Sequence, residues 1–145
     1  MTLVRFTLTY CIIPVDWAST HILFMETPMR AAKPLLLLLR LLAGVEVVLG
    51  IGFWTGHWFG LRPLHMALGV LFVVAVWSLA GLALAARRAI GLAVFAIVWG
   101  VMLAGFGASQ QGLLAGDLHW IVRVAHLAMV LAAMPIAERL GRLPG

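Results

Sequence analysis

Residues 118–137 read LHWIVRVAHLAMVLAAMPIA. A helix needs about 20 apolar residues to cross a bilayer, and this run has that length and character. Yet it carries His119, Arg123 and His126. At about 100° per residue, a step of seven returns to nearly the same face, so the two histidines share a stripe with Arg123 between them. Ionisable groups are costly in hydrocarbon unless partnered. They turn toward the protein interior or a polar cavity, and by default they mark a working site.

The rest of the chain fits a helix of that kind. Of the 145 residues, 64% are hydrophobic and 10% charged, against about half and a quarter in a soluble domain. The expected class is a single-domain, all-α integral membrane protein, multi-pass, in a bacterial inner (cytoplasmic) membrane, with the lipid bilayer as its principal partner. The formal charge of +5 does not indicate nucleic acid, because the basic residues stand at the ends of apolar runs. One cysteine, Cys11, excludes an intrachain disulfide and a cysteine-built metal site. Ser78 stands alone without a paired base, which leaves nucleophilic catalysis unsupported.

Three further spans precede this one. Residues 35–54 begin after Pro34, carry Arg40 and Glu46, and close on Trp54. Residues 64–86 follow Pro63, hold His65 in the first turn, and end at Arg87 and Arg88. Residues 89–107 have no charged residue. Glycines at 44, 50 and 52 in the first span, and at 91, 100, 105 and 107 in the third, are expected to let neighbouring backbones approach. Asp117 is expected to cap the fourth span. Connections of about ten residues or fewer predict a four-helix antiparallel up-down bundle over residues 34–139, with a short tail at 140–145. Residues 1–33 sustain no helical or strand period. They read as a poorly structured or interfacial leader, or as sequence before a natural start at Met25 or Met29.

Orientation follows from Lys and Arg near the span ends. Arg30, Lys33, Arg87, Arg88, Arg139 and Arg142 fall on one side, and only Arg62 lies in a loop on the other. Both termini are therefore expected in the cytoplasm. Arg40 is near enough to that face to extend its head group to it. Every histidine after residue 21 then lies toward the outer side: His57, His65, His119 and His126. His126 lies about 10 Å deeper than His119. Glu46 lies at a similar depth, where an ion pair with Arg123, a hydrogen bond with His126 or a proton-carrying role are all open.

A b-type haem needs two neutral imidazoles facing across a bundle, small residues beside the macrocycle, and cations near the propionates. His65 comes from the second span and has Gly69 one turn beyond it. Its partner on the fourth span is His126 or, by depth alone, His119. Arg123 or Arg62 would meet propionates, with Trp58 and Trp120 at the edge. One zinc ion is a poorer match, since His119 and His126 are seven apart and the usual i, i+4 pair does not occur.

The segments Leu64-His65-Met66-Ala67-Leu68-Gly69 and Val122-Arg123-Val124-Ala125-His126-Leu127, the latter after a glycine-rich third span and loop glutamines, resemble one four-helix half of haem A synthase. They are also similar to small b-type membrane cytochromes. The resemblance covers roughly residues 35–137 and implies His65 and His126 as haem ligands. The family's arginine after the second-span histidine is Met66 here, its glutamate three residues earlier is Arg62, and its loop cysteines are absent. The expectation is therefore a haem b scaffold that carries electrons or holds haem near the outer leaflet, with a redox partner or quinone and a homo-oligomer as open partners. Alternatives from other classes are a small proton-coupled transporter using Glu46 and an accessory or assembly subunit.

Overall fold

The computed structural model describes residues 31–114 and 116–143. Four helices account for most of them: α1 (Ala32–Trp54), α2 (Arg62–Ala85), α3 (Ile90–Ser109) and α4 (His119–Gly141). Short 3-10 turns at Phe59–Leu61 and Gln110–Gly112 complete the described secondary structure. Each helix is long and apolar enough to cross a membrane. The 23 residues of α1 span about 34 Å, against a hydrocarbon thickness of about 30 Å. Large apolar side chains such as Leu37, Leu41, Val48, Val70, Val98 and Leu131 point outward and are exposed. The expected leader and the candidate starts at Met25 and Met29 lie outside the described residues, except that the first helix already includes Ala32 and Lys33.

Neighbouring helices run antiparallel. Leu36 lies against Gly141 and Arg40 against Glu138, so α1 rises as α4 descends. The Trp77 indole N–H donates to the Ile97 carbonyl at 3.1 Å, and the Trp99 indole N–H to the Met129 carbonyl at 3.1 Å. These two bonds tie α2 to α3 and α3 to α4. A Cβ at Gly100 would collide with the Trp77 indole, so that glycine sets the α2–α3 approach. Gly52 and Gly107 also face side chains, whereas a Cβ at Gly44, Gly50, Gly91 or Gly105 would meet nothing. The glycine content of α1 and α3 therefore overstates the close packing expected of it.

Turn chemistry fixes the ends. After α1, the His57 N–H reaches the Gly52 carbonyl at 2.8 Å and Gly56 adopts φ +84°. After α2, the Arg88 N–H reaches the Ala83 carbonyl at 2.8 Å and Arg87 adopts φ +52°. Both follow the Schellman pattern, in which a left-handed residue turns the chain and satisfies orphan carbonyls. Asp117 does not cap α4, which starts at His119 with no side-chain cap. The backbone turn at Gly116, with φ +91°, supplies the Gly116 carbonyl to the His119 N–H at 3.1 Å.

The packed core occupies one half of the bundle. In α2 the buried residues run from Phe72 to Ala83, and in α4 most lie at Ala133, Ala137 and Leu140. They meet Leu36, Leu39, Leu42 and Ala43 of α1 and Ala93, Ala96 and Leu103 of α3 at three- and four-residue spacing. Arg40 does not simply extend to the helix end. Its Nε and Nη2 donate to Glu138 Oε1 at 2.7 and 2.6 Å, and Arg142 Nη2 reaches Glu138 Oε2 at 2.8 Å. Glu138→Ala leaves Arg40 unpaired about 12 Å from the start of α1. It is expected to lower the thermal unfolding temperature in detergent, and the double replacement Arg40→Leu, Glu138→Leu to recover most of the loss.

Candidate functional site

The opposite half of the bundle is hollow. Three polar side chains from three helices converge there. Glu46 comes from α1 on the same face as Leu39 and Leu42, so helical periodicity carries it inward, and it is only 8% exposed. His65 stands in the first full turn of α2, after Pro63, whose missing N–H costs nothing at a helix start. His126 projects from α4 two turns below His119.

Glu46 meets neither Arg123 nor His126. Its Oε2 forms an ion pair with Nδ1 of His65, whose side chain is 18% exposed. A buried carboxylate without a partner would be costly, yet this approach completes no hydrogen bond, since His65 Nδ1 is itself buried without a hydrogen-bond partner among the described residues. The second oxygen, Oε1, is buried with no hydrogen-bond partner among the described residues. The Phe53 ring packs edge-on against His65, with ring centres 5.3 Å apart.

Across the hollow, the centres of the His65 and His126 rings are 6.4 Å apart, with their planes at 67°. His126 stacks on Phe106 with centres 6.1 Å apart and planes within 11°. A Cβ on Gly107 would come within 3.2 Å of His126 Cε1, so the glycine makes room for the ring. Nδ1 of His126 is buried and has no partner among the described residues. Comparison of the chain with protein-family models, with curated proteins and with solved structures found no match.

A cavity of about 210 Å³ joins these groups and opens at the end holding the α3–α4 loop. Its walls include Glu46, His65, His119, Arg123 and His126, with Arg62, Gln110 and Gln111 at the same end and Phe53, Trp54, Leu127 and Val130 as apolar lining. Arg62 lies over the Phe59 ring at 4.9 Å. Arg123 is exposed and has no ion-pair partner among the described residues. His119 Nδ1 faces the Leu113 carbonyl at 3.1 Å, and His57 Nδ1 faces Thr55 Oγ1 at 3.2 Å in an exposed loop.

Of the residues singled out in the sequence, the cavity thus unites Glu46, His65, His119, Arg123 and His126. Gly69 is not in its wall, and a Cβ there would meet nothing within 4 Å. Trp58 folds back onto Gly52, and Trp120 is exposed; neither lines the cavity. Phe53 and Phe106, which flank the two imidazoles, carried no signal read from the sequence. Phe53 lies seven residues after Glu46 and so on its helix face, and this spacing could have marked it. Among the described residues no group of three or more His, Cys, Asp or Glu side chains could hold a metal ion alone.

The donor set fits a flat iron cofactor held by two imidazoles. Metal–imidazole bonds are about 2 Å long, so two rings on one iron have centres about 6 Å apart. His65 Nδ1 lies beside the Glu46 carboxylate, and a carboxylate next to the outer nitrogen is common for a ligating histidine. His126 presents an unpartnered ring nitrogen. The cavity is smaller than the roughly 300–1,000 Å³ of small-molecule pockets.

Proposed function

We propose that this chain is an integral membrane protein, with both termini cytoplasmic, that binds one b-type haem between His65 and His126 near the outer leaflet. The observation that carries this reading is the pair of imidazoles from α2 and α4, 6.4 Å apart across an internal cavity. His65 and His126 would hold the iron, and Arg62 and Arg123 would meet the propionates. When bound, the haem supplies an iron that gains and loses one electron. The protein's part is to hold the two ligands, to set the charge around them and to keep lipid and bulk water away. Six basic residues at one side of the spans against Arg62 in a loop of the other support the orientation.

Glu46 has a measurable effect under this reading. Its carboxylate lies beside His65 Nδ1. At an effective dielectric of about 20, one negative charge about 7 Å from an iron would favour its oxidised state by about 2 kcal/mol, which corresponds to about 100 mV. Glu46→Gln is expected to raise the haem midpoint potential by about that amount in a redox titration of the purified protein. An unchanged potential in a variant that keeps its haem would remove Glu46 from the site.

A second reading rests on Glu46 Oε1, a buried carboxylate oxygen without a partner at the cavity wall. Such a group is placed to take a proton, as a small proton-coupled transporter requires. A colourless protein whose proton-driven transport is abolished by Glu46→Gln would favour it.

A further inference from the structure

The end of the bundle away from the cavity holds two arginines on one carboxylate. Arg40 of α1 donates from Nε and Nη2 to Glu138 Oε1 at 2.7 and 2.6 Å. Arg142, just past α4, donates from Nε and Nη2 to Oε2 at 3.0 and 2.8 Å. Nη1 of each guanidinium lies outside these ion pairs. The arginine side chains are 52% and 73% exposed and the carboxylate 22%, so the two cations face outward over Glu138. A carboxylate that takes one arginine on each oxygen fixes their spacing, and a guanidinium fork fits phosphate oxygens as well as carboxylate ones.

Charge at this end is one-sided. Lys33, Arg40, Arg87, Arg88, Arg139 and Arg142 stand there against Glu138, the one carboxylate at that end among the described residues. Glu138 lies shortly before the end of α4 at Gly141, about 5 Å along the axis. In a membrane, that depth is the boundary between hydrocarbon and headgroups. Leu37 and Leu41 flank Arg40 on α1, and both are exposed. We infer that Arg40 and Arg142, spaced by Glu138, bind the phosphate of an anionic phospholipid whose acyl chains lie along these leucines. Glu138 is then a positioning residue. The inference rests on the membrane reading of the four helices and not on the haem.

Native mass spectrometry of the full chain in detergent tests this, with phosphatidylglycerol or phosphatidylcholine of the same acyl chains added. Phosphatidylglycerol is expected to stay on the chain and phosphatidylcholine to leave. Arg142→Gln is expected to lower that retention about tenfold, as loss of a charge-assisted hydrogen bond does. Arg139, exposed and without an ion-pair partner among the described residues, is the control, and Arg139→Gln is expected to change retention far less. Glu138→Gln separates a built site from general attraction between opposite charges. That attraction alone would strengthen retention about fivefold when the carboxylate is lost. Loss of the spacing is expected to weaken it instead. Should Glu138→Gln fail to fold, the two arginine variants still decide. Equal losses in those two variants, tighter binding by Glu138→Gln, or equal retention of both lipids overturns the inference. So does retention of added inorganic phosphate in place of the lipid, which would make this a site for free anions. Haem content is expected to be the same in all these variants, so absence of haem bears on the haem reading alone. A chain that stays in solution without detergent removes the membrane reading and this inference with it.

Discussion

His65→Ala is expected to leave the protein without haem and, separately, less stable by about 3–5 kcal/mol. Two effects combine in this variant and can be pulled apart. Removing the imidazole deletes one proposed iron ligand. It also strips Glu46 of its partner, and a carboxylate that is 8% exposed cannot turn to water without opening α1 from α2. Replacing Glu46 as well, in His65→Ala, Glu46→Leu, removes the unpaired charge. That double variant is expected to regain most of the stability and none of the haem. The measurements are haem content per chain and thermal unfolding in detergent. Recovery of haem in the double variant would show that His65 only supports the fold.

Gly107→Val is expected to displace His126 while leaving the bundle folded. A Cβ at Gly107 already comes within 3.2 Å of His126 Cε1, and the added methyl groups of valine press on the same ring. Overpacking of this kind costs about 1–3 kcal/mol, which a four-helix domain can absorb. The expected signature is loss of the six-coordinate spectrum with haem still held by His65. Gly105→Val serves as the control, since a Cβ there meets nothing within 4 Å. Equal spectra for the two variants would mean that the ring is not held where the structure has it.

Much of the fold was legible because bilayer-length apolar runs leave few alternatives. All four expected helices are present, the end at Trp54 is unchanged, and the other ends moved by one to four residues. The largest change is at the end of α4, expected near residue 137 and found at Gly141. Glu138 reads as a polar stop. Arg40 neutralises it from 98 residues away, and no local pattern reveals that. The inward direction of His65 and His126 was legible from the cost of burying imidazoles. The partner of Glu46 was not. Depth along the helix placed it level with His126, but its partner depends on how far α1 is rotated against α2, and packing around Leu39 and Leu42 sets that. Gly69 shows the same limit. It lies one turn from His65 in sequence, yet the cavity ends before reaching it.

The central claim is that two imidazoles clasp one iron. An absorption spectrum of the purified wild-type protein, oxidised and then reduced, tests it most directly. The account predicts about one haem per chain, a Soret band, and a sharp α band on reduction that disappears in His126→Ala and persists in His57→Ala. A protein that is colourless after expression with ample haem, or one whose α band survives His126→Ala, would contradict it.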